Sequence, residues 1–368
     1  MKLFTPYTFK SSGKTSKNRI ALAPMTNLQS NDDGTLSDDE FNFLVRRAKE
    51  DFGIIITCAS HVSADGQGWK GELGIFDDKH LAGLTRLADG IHQYGSLGIV
   101  QIFHGGARSP EALTGKQPWS ASAHTIGSAG KETQIREATE DDIERTIEAF
   151  VHAAGRAYKA GFDGVELHGA HGYLLHQFLS TLTNKRTDKW GGDRENRFRL
   201  LLTAFRNIKS TVPSSFMVGV RLSPEDKHGF KGIDFDEALD LAEILSKEGT
   251  DFIHVSPWDA FKKPEKYPEG EKTIVEIYRE RLPQEVPVLV AGEIWSSADA
   301  ERALELGADI VALGKSAIGN PDWAVRARDR SYQPQKPPYS VQQLREASLG
   351  EAFVGYMSRW PGFVEGEK

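Results

Sequence analysis

Short apolar runs recur along this chain, and stretches with helical spacing of apolar positions separate them. Eight runs read as strands, at residues 19–25, 53–57, 98–104, 164–168, 217–222, 252–255, 286–291 and 310–313. Most are nearly continuous in apolar residues, as parallel strands covered on both faces should be. The first helix opens at Ser37 with Glu40 three residues on, the spacing of a capping box. Another spans 141–159 and places Ile143, Ile147, Phe150, Val151, Ala154 and Tyr158 on one face. One punctuation recurs: Gly161, Gly249 and Gly307 each stand two residues before an Asp or one before Ala-Asp, just ahead of a strand. A glycine there suits a left-handed helix cap. Eight strand–helix units joined in this way predict an α/β fold, a single (β/α)8 TIM barrel with loop insertions on the catalytic face and a C-terminal tail. Such barrels typically take about 250 residues. The surplus falls in 109–137, 180–193, 257–272 and the end of the chain. The expected division is a barrel over 1–331 and a tail over 332–368 that packs on or beside it.

Composition narrows the class. Of 368 residues, 39% are hydrophobic and 26% charged, ordinary for a soluble globular protein. The net charge of −7 implies no nucleic-acid or anionic-membrane surface. One cysteine, Cys58, leaves no disulfide framework and no cysteine cluster for zinc or iron–sulfur. The first residues lack the apolar run of a signal peptide, and no stretch approaches the ~20 apolar residues of a membrane span. The expected location is cytoplasmic.

The chemistry gathers where the strands end, the catalytic face of a barrel. The fourth strand runs into His168-Gly169-Ala170-His171-Gly172-Tyr173. Two imidazoles can bond one ligand oxygen, and a phenol adds a weak acid of pKa about 10. As metal ligands the histidines would need a third partner, which the first strand end, Pro24-Met25-Thr26, does not offer; no metal is expected. Gln101 is a lone amide in the third strand. It matches the donor–acceptor edge of a heterocycle, or it pairs with a neighbouring side chain. Arg221 ends the fifth strand, where a guanidinium needs either an electron-rich ligand or a carboxylate such as Glu166. Gly292 ends the seventh strand, and Gly314-Lys315 ends the eighth. Singly these are turn glycines; together, at the two strands that commonly frame a phosphate, they favour a phosphate site.

This set resembles the Old Yellow Enzyme family, the FMN-dependent ene-reductases of NADH:flavin oxidoreductase type. The resemblance is closest over His168–Ser180 and over Asn184-Lys185-Arg186-Thr187-Asp188-Lys189-Trp190-Gly191-Gly192-Asp193-Arg194-Glu195-Asn196-Arg197. Ala23-Pro24-Met25-Thr26, Gln101 with His104, Arg221, and Gly314 through Asp322 support it. It implies FMN, tightly but non-covalently bound at the barrel mouth, with NADH or NADPH as reductant. Pro24, Met25, Thr26 and Ala59 would border the flavin, Gln101 its pyrimidine edge, and Arg221 its N1 and O2 atoms. Gly292, Gly314 and Lys315 would hold the phosphate. His168 and His171 would bind the oxygen of a small electrophilic alkene, and Tyr173 would donate the proton. Trp258 and Phe261, in the loop after the sixth strand, are placed to shape the pocket, though Trp258 serves equally as a packing residue. Homo-oligomers are common among such relatives. This chain departs from the pattern at Lys315, usually Arg, at Leu28, a tyrosine in some relatives, and at Thr26, a cysteine in some.

Overall fold

The computed structural model describes residues 1–127, 130–226 and 232–366. Its centre is a closed barrel of eight parallel strands, β1 (Ile20–Leu22), β2 (Ile54–Ile56), β3 (Leu97–Phe103), β4 (Gly164–Gly169), β5 (Met217–Leu222), β6 (Ile253–Val255), β7 (Val288–Val290) and β8 (Ile310–Leu313). β8 pairs with β1, and β3 pairs with β4 in the register Gly164↔Ile99 to Leu167↔Ile102. A helix follows each strand: α1 (Asp38–Lys49), α2 (Leu81–His92), α3 (Glu140–Lys159), α4 (Arg194–Thr211), α5 (Phe235–Lys247), α6 (Ile274–Arg281), α7 (Ser297–Glu305) and α8 (Lys315–Gly319). Gly161, Gly249 and Gly307 have φ of 90°, 83° and 111°, the left-handed region that lets the chain turn straight from helix to strand.

The strands are shorter than the apolar runs where proline intervenes. β1 stops before Pro24 and β7 starts after Pro287, because proline has no N–H to give a ladder. Within each strand the side chains alternate. Val165 and Leu167 face the helices in the main core, whereas Ala21, Ile54, Ile56, Ile99, Met217, Leu289 and Ile310 fill the barrel interior. An N-terminal hairpin, Tyr7–Thr8 against Thr15–Ser16, carries the buried Phe9 into that interior cluster.

Three local expectations change. Ser37 does cap Glu40 N at 3.1 Å, but the Glu40 carboxyl does not return to complete the box; it is fully buried among Asn27, Cys58 and Ser30, and burial raises its pKa. On α3, Tyr158 is exposed and leans edge-on against Phe216, while Ala157 takes the buried position. The 109–137 insertion is not wholly irregular: Trp119–Ser120, His124–Ile126 and Thr133–Glu137 make a small sheet. The tail continues past Arg326 as helices Val341–Glu346 and Glu351–Met357, and its Tyr339, Leu344, Phe353, Met357 and Phe363 join the main core. Among the described residues no helix is long and apolar enough to cross a membrane.

Candidate active site

Two adjoining cavities open at the carboxyl ends of the strands. The inner one, about 120 Å³, is lined by Pro24, Met25, Thr26, Ala59, Trp69, Gln101, His168, His171, Tyr173 and Arg221. The outer one, about 580 Å³, shares Pro24, Met25, Thr26, His171, Tyr173 and Arg221 and adds Trp258, Gly292, Gly314, Lys315 and the tail residues Tyr356, Met357, Trp360 and Phe363. That volume lies in the roughly 300–1,000 Å³ range of small-molecule sites. Every candidate read from the sequence lines one cavity or the other except Phe261, which packs on the core beneath the Arg302 guanidinium.

Period-2 alternation sends Gln101, Glu166, His168, Arg221 and His254 to the inside of the barrel. Glu166 is fully buried and accepts from Gln101 Nε2 at 2.7 Å, and it meets His254 Nδ1 at 2.8 Å. Although desolvation pushes the Glu166 pKa upward, His254 and Arg221 outweigh it, and the carboxyl stays below its usual range. An ionised carboxylate only accepts, so Gln101 must turn its NH₂ to Glu166 and leave Oε1 free for the cavity it lines. The pairing of Gln101 with a neighbouring side chain is thus observed, with Glu166 as its partner. Arg221 makes no direct pair with Glu166. It donates to Ser256 Oγ at 3.0 Å and to the Pro24 carbonyl at 3.4 Å. Burial pulls its pKa down to about 10, with Glu166 opposing, so it remains a cation at neutral pH.

His171 sits at φ 60°, a strained value for a non-glycine residue. Its N–H donates to Ser223 Oγ at 3.1 Å, and its ring Nε2 lies 2.9 Å from Ser256 Oγ. Ser256 Oγ has one hydrogen and two lone pairs, so beside Arg221 it can either accept from His171 Nε2–H or, with the His171 proton on Nδ1, donate to Nε2. His168 packs against His171 and Tyr173 with ring centroids 5.1 Å from each. Burial, then the Arg221 charge, holds both histidines far below the usual imidazole pKa, so both are neutral. The Tyr173 ring meets Phe103 edge-on at 4.9 Å, and the Arg108 guanidinium lies 4.6 Å from its centroid. Burial raises the Tyr173 pKa, and Arg108 opposes the rise.

Two buried polar atoms at this site, His168 Nδ1 and Arg221 Nε, have no partner among the described residues. Buried polar atoms without partners are costly and point to a ligand. At the outer end, a Cβ on Gly314 would make only an ordinary contact with Met25 Sδ at 3.8 Å, and Gly292 has φ 142°. Lys315 is 58% exposed and lies 3.7 Å from Glu293. A planar ring with carbonyl acceptors and a phosphate tail fits this donor set. Among the described residues no three His, Cys, Asp or Glu side chains gather as a metal site. Sequence reasoning missed Ser256 and Trp69; an isolated serine or tryptophan in a loop carries no local sign of facing a cavity. The Arg186–Arg197 signature is scaffold. Arg186 Nη1 binds the Ala121 and Ala138 carbonyls at 3.0 and 2.8 Å, and Arg197 binds the Leu179 carbonyl at 3.1 Å.

The model of the NADH:flavin oxidoreductase / NADH oxidase family matches residues 2–333. The probable NADH-dependent flavin oxidoreductase YqiG of Bacillus subtilis (strain 168) is 38% identical over 331 residues, covering 89% of this chain and 88% of the relative. The NADH:acrylate oxidoreductase of Vibrio harveyi is 39% identical over 324 residues, 86% of this chain but 32% of that protein. Among solved structures, the Old Yellow Enzyme homologue from Zymomonas mobilis superposes with a TM-score of 0.80 at 27% identity, covering 94% of this chain and 96% of that one. A morphinone reductase variant in complex with tetrahydroNAD gives 0.77 at 27% identity, covering 92% and 93%.

Proposed function

Because this chain belongs to the Old Yellow Enzyme family of NADH:flavin oxidoreductases, an NAD(P)H-dependent flavin oxidoreductase with FMN as cofactor, we propose that it reduces the activated C=C bond of enones and nitroalkenes. The chemistry supplied by bound FMN is hydride transfer, from NADH or NADPH in one half-reaction and to the alkene β-carbon in the other. Pro24, Met25, Thr26, Ala59, Gln101 and Arg221 would hold the ring, and Gly292, Gly314 and Lys315 would hold the phosphate. A persistent cation at Arg221 favours negative charge on the ring beside it. His168 and His171, both neutral, donate N–H bonds to the substrate oxygen and draw electron density from the β-carbon. Tyr173, protonated at neutral pH, gives its proton to the α-carbon. Trp258 and the tail aromatics border the substrate.

The carrying observation is the pair of unpartnered buried atoms, His168 Nδ1 and Arg221 Nε, in side chains that line the same cavity as the Tyr173 phenol. The relatives lend support: one is named for acrylate and another, from Klebsiella pneumoniae (strain 342), for fumarate, both unsaturated carbonyl compounds. The test is anaerobic. Purified protein should be yellow, bleach with NADH or NADPH, and recover its colour when 2-cyclohexenone or a nitroalkene is added. Bleached protein that no enone or nitroalkene reoxidises would refute alkene reduction.

A further inference from the structure

Helix α1 sends Arg47 inward. The side chain is fully buried and its guanidinium lies 3.8 Å from the Phe43 ring centroid. It makes five hydrogen bonds, all to backbone carbonyls: Phe43 at 3.0 Å, Ala347 at 2.8 Å, Ala317 at 3.2 and 3.1 Å, and Ile318 at 2.9 Å. A guanidinium buried without a carboxylate is expensive. Desolvation lowers its pKa and the like charge of Arg46 adds to that. A chain needing only packing here would use Leu or Met.

The carbonyls show what Arg47 holds. Ala317 and Ile318 belong to α8, directly after Gly314-Lys315-Ser316, which line the outer cavity. The preceding carbonyl, Ser316, accepts from Asn320 Nδ2 at 2.9 Å, and that amide also reaches the Gln335 carbonyl at 2.9 Å. The Ser316 hydroxyl is tied to the Ile294 carbonyl at 3.0 Å. Three successive carbonyls of α8 are therefore fixed from behind by side chains, and both holders also grip the tail, at Ala347 and Gln335. By contrast Lys315, the one cation among the described residues that line this end of the cavity, is exposed and already beside Glu293.

We propose that Arg47 is a positioning residue for the cofactor phosphate: it fixes the 314–316 backbone as a rigid amide cradle and couples that cradle to the docked tail. This inference rests on the reading of Gly292, Gly314 and Lys315 as the phosphate subsite. A rigid backbone cradle binds phosphate without a bidentate arginine, which is how Lys315 can suffice here.

The experiment strips flavin from the full-length chain and titrates it with FMN and with riboflavin, which differ only in the phosphate, following quenching of flavin fluorescence. The wild type should prefer FMN, and Lys315→Ala should erode that preference. Arg47→Met should weaken FMN binding by about tenfold or more, about 1.4 kcal/mol, while riboflavin binding stays put. Arg47→Lys, whose single ammonium cannot reach every carbonyl, should fall between; it carries the test alone if the Met variant does not fold. Parallel losses for both flavins, or no loss for either, would overturn the role of Arg47. A wild type that binds both flavins equally, or a Lys315→Ala variant with undiminished FMN preference, would instead overturn the phosphate subsite itself.

Discussion

Replacing Tyr173 by Phe separates the two half-reactions. The substitution keeps the ring and with it the edge contact to Phe103 and the packing against His168. What goes is one hydroxyl, worth at most about 1 kcal/mol of stability, so the fold and the cavity survive. The chemical loss is larger. A positioned acid contributes about 10²–10⁴-fold, equivalent to about 2.7–5.4 kcal/mol of barrier. It should fall wholly on the alkene half-reaction, because reduction by NAD(P)H needs no proton from the phenol. Anaerobic stopped-flow absorbance measures both: bleaching by NADPH at an unchanged rate, and reoxidation by 2-cyclohexenone slowed by that factor. Burial holds the Tyr173 pKa above its ordinary 10.0, so the wild-type reoxidation rate should also stay level across neutral pH and fall only in strong alkali, as the acid form is lost. Equal slowing of the two steps would mean that the substitution damaged the site; slowing of neither would remove Tyr173 as the proton donor.

Two further outcomes follow from geometry. His61 is held to about 3 and His80 to about 4, and His168, His171 and His254 are also lowered, all chiefly by desolvation. Unfolded imidazoles protonate near pH 6.5 and these do not, so the stability they allow is present above that pH and drains away below it. Linkage gives about 1 kcal/mol each for His61, His80, His168 and His171 between pH 6.5 and 5.5, about 4 in sum, with His254 adding in the same direction and His92, raised by Asp163, opposing slightly. Thermal melts should drop steeply over that interval; a flat profile would mean that these rings take up protons in the folded state. Gly292→Ala places a Cβ 2.6 Å from the Pro257 carbonyl at φ 142°, a strain on the order of 1–3 kcal/mol. It should lower the melting temperature and loosen FMN, and unchanged values of both would show that the loop after β6 yields freely.

The tail illustrates the limits of reading along the chain. Phe353, Met357 and Phe363 are buried and Tyr356 and Trp360 border the outer cavity, yet a terminal run of aromatics looks alike whether it covers a site, packs beside it or meets another molecule. Arg47 is a sharper case. At its place in an amphipathic helix an arginine reads as a solvated charge, and only the convergence of Ala317, Ile318 and Ala347 carbonyls makes its burial tolerable. Ser256 is likewise mute in sequence; its meaning lies in standing between Arg221 and His171.

What the sequence determined by itself was the barrel and most of its rim. Strand length, apolar continuity and the glycine joints are local properties, and alternation then sends every second residue of a strand inward, so Gln101, His168 and Arg221 had to converge once the sheet closed. What only the tertiary structure decided was the state of those residues. Whether Arg221 pairs with Glu166, what the His171 ring meets and which carbonyls receive Arg47 depend on groups 35 to 300 positions apart in the chain. Buried charges and hydrogen bonds are set by distances of a few ångströms, and those distances exist only after the eight units have packed.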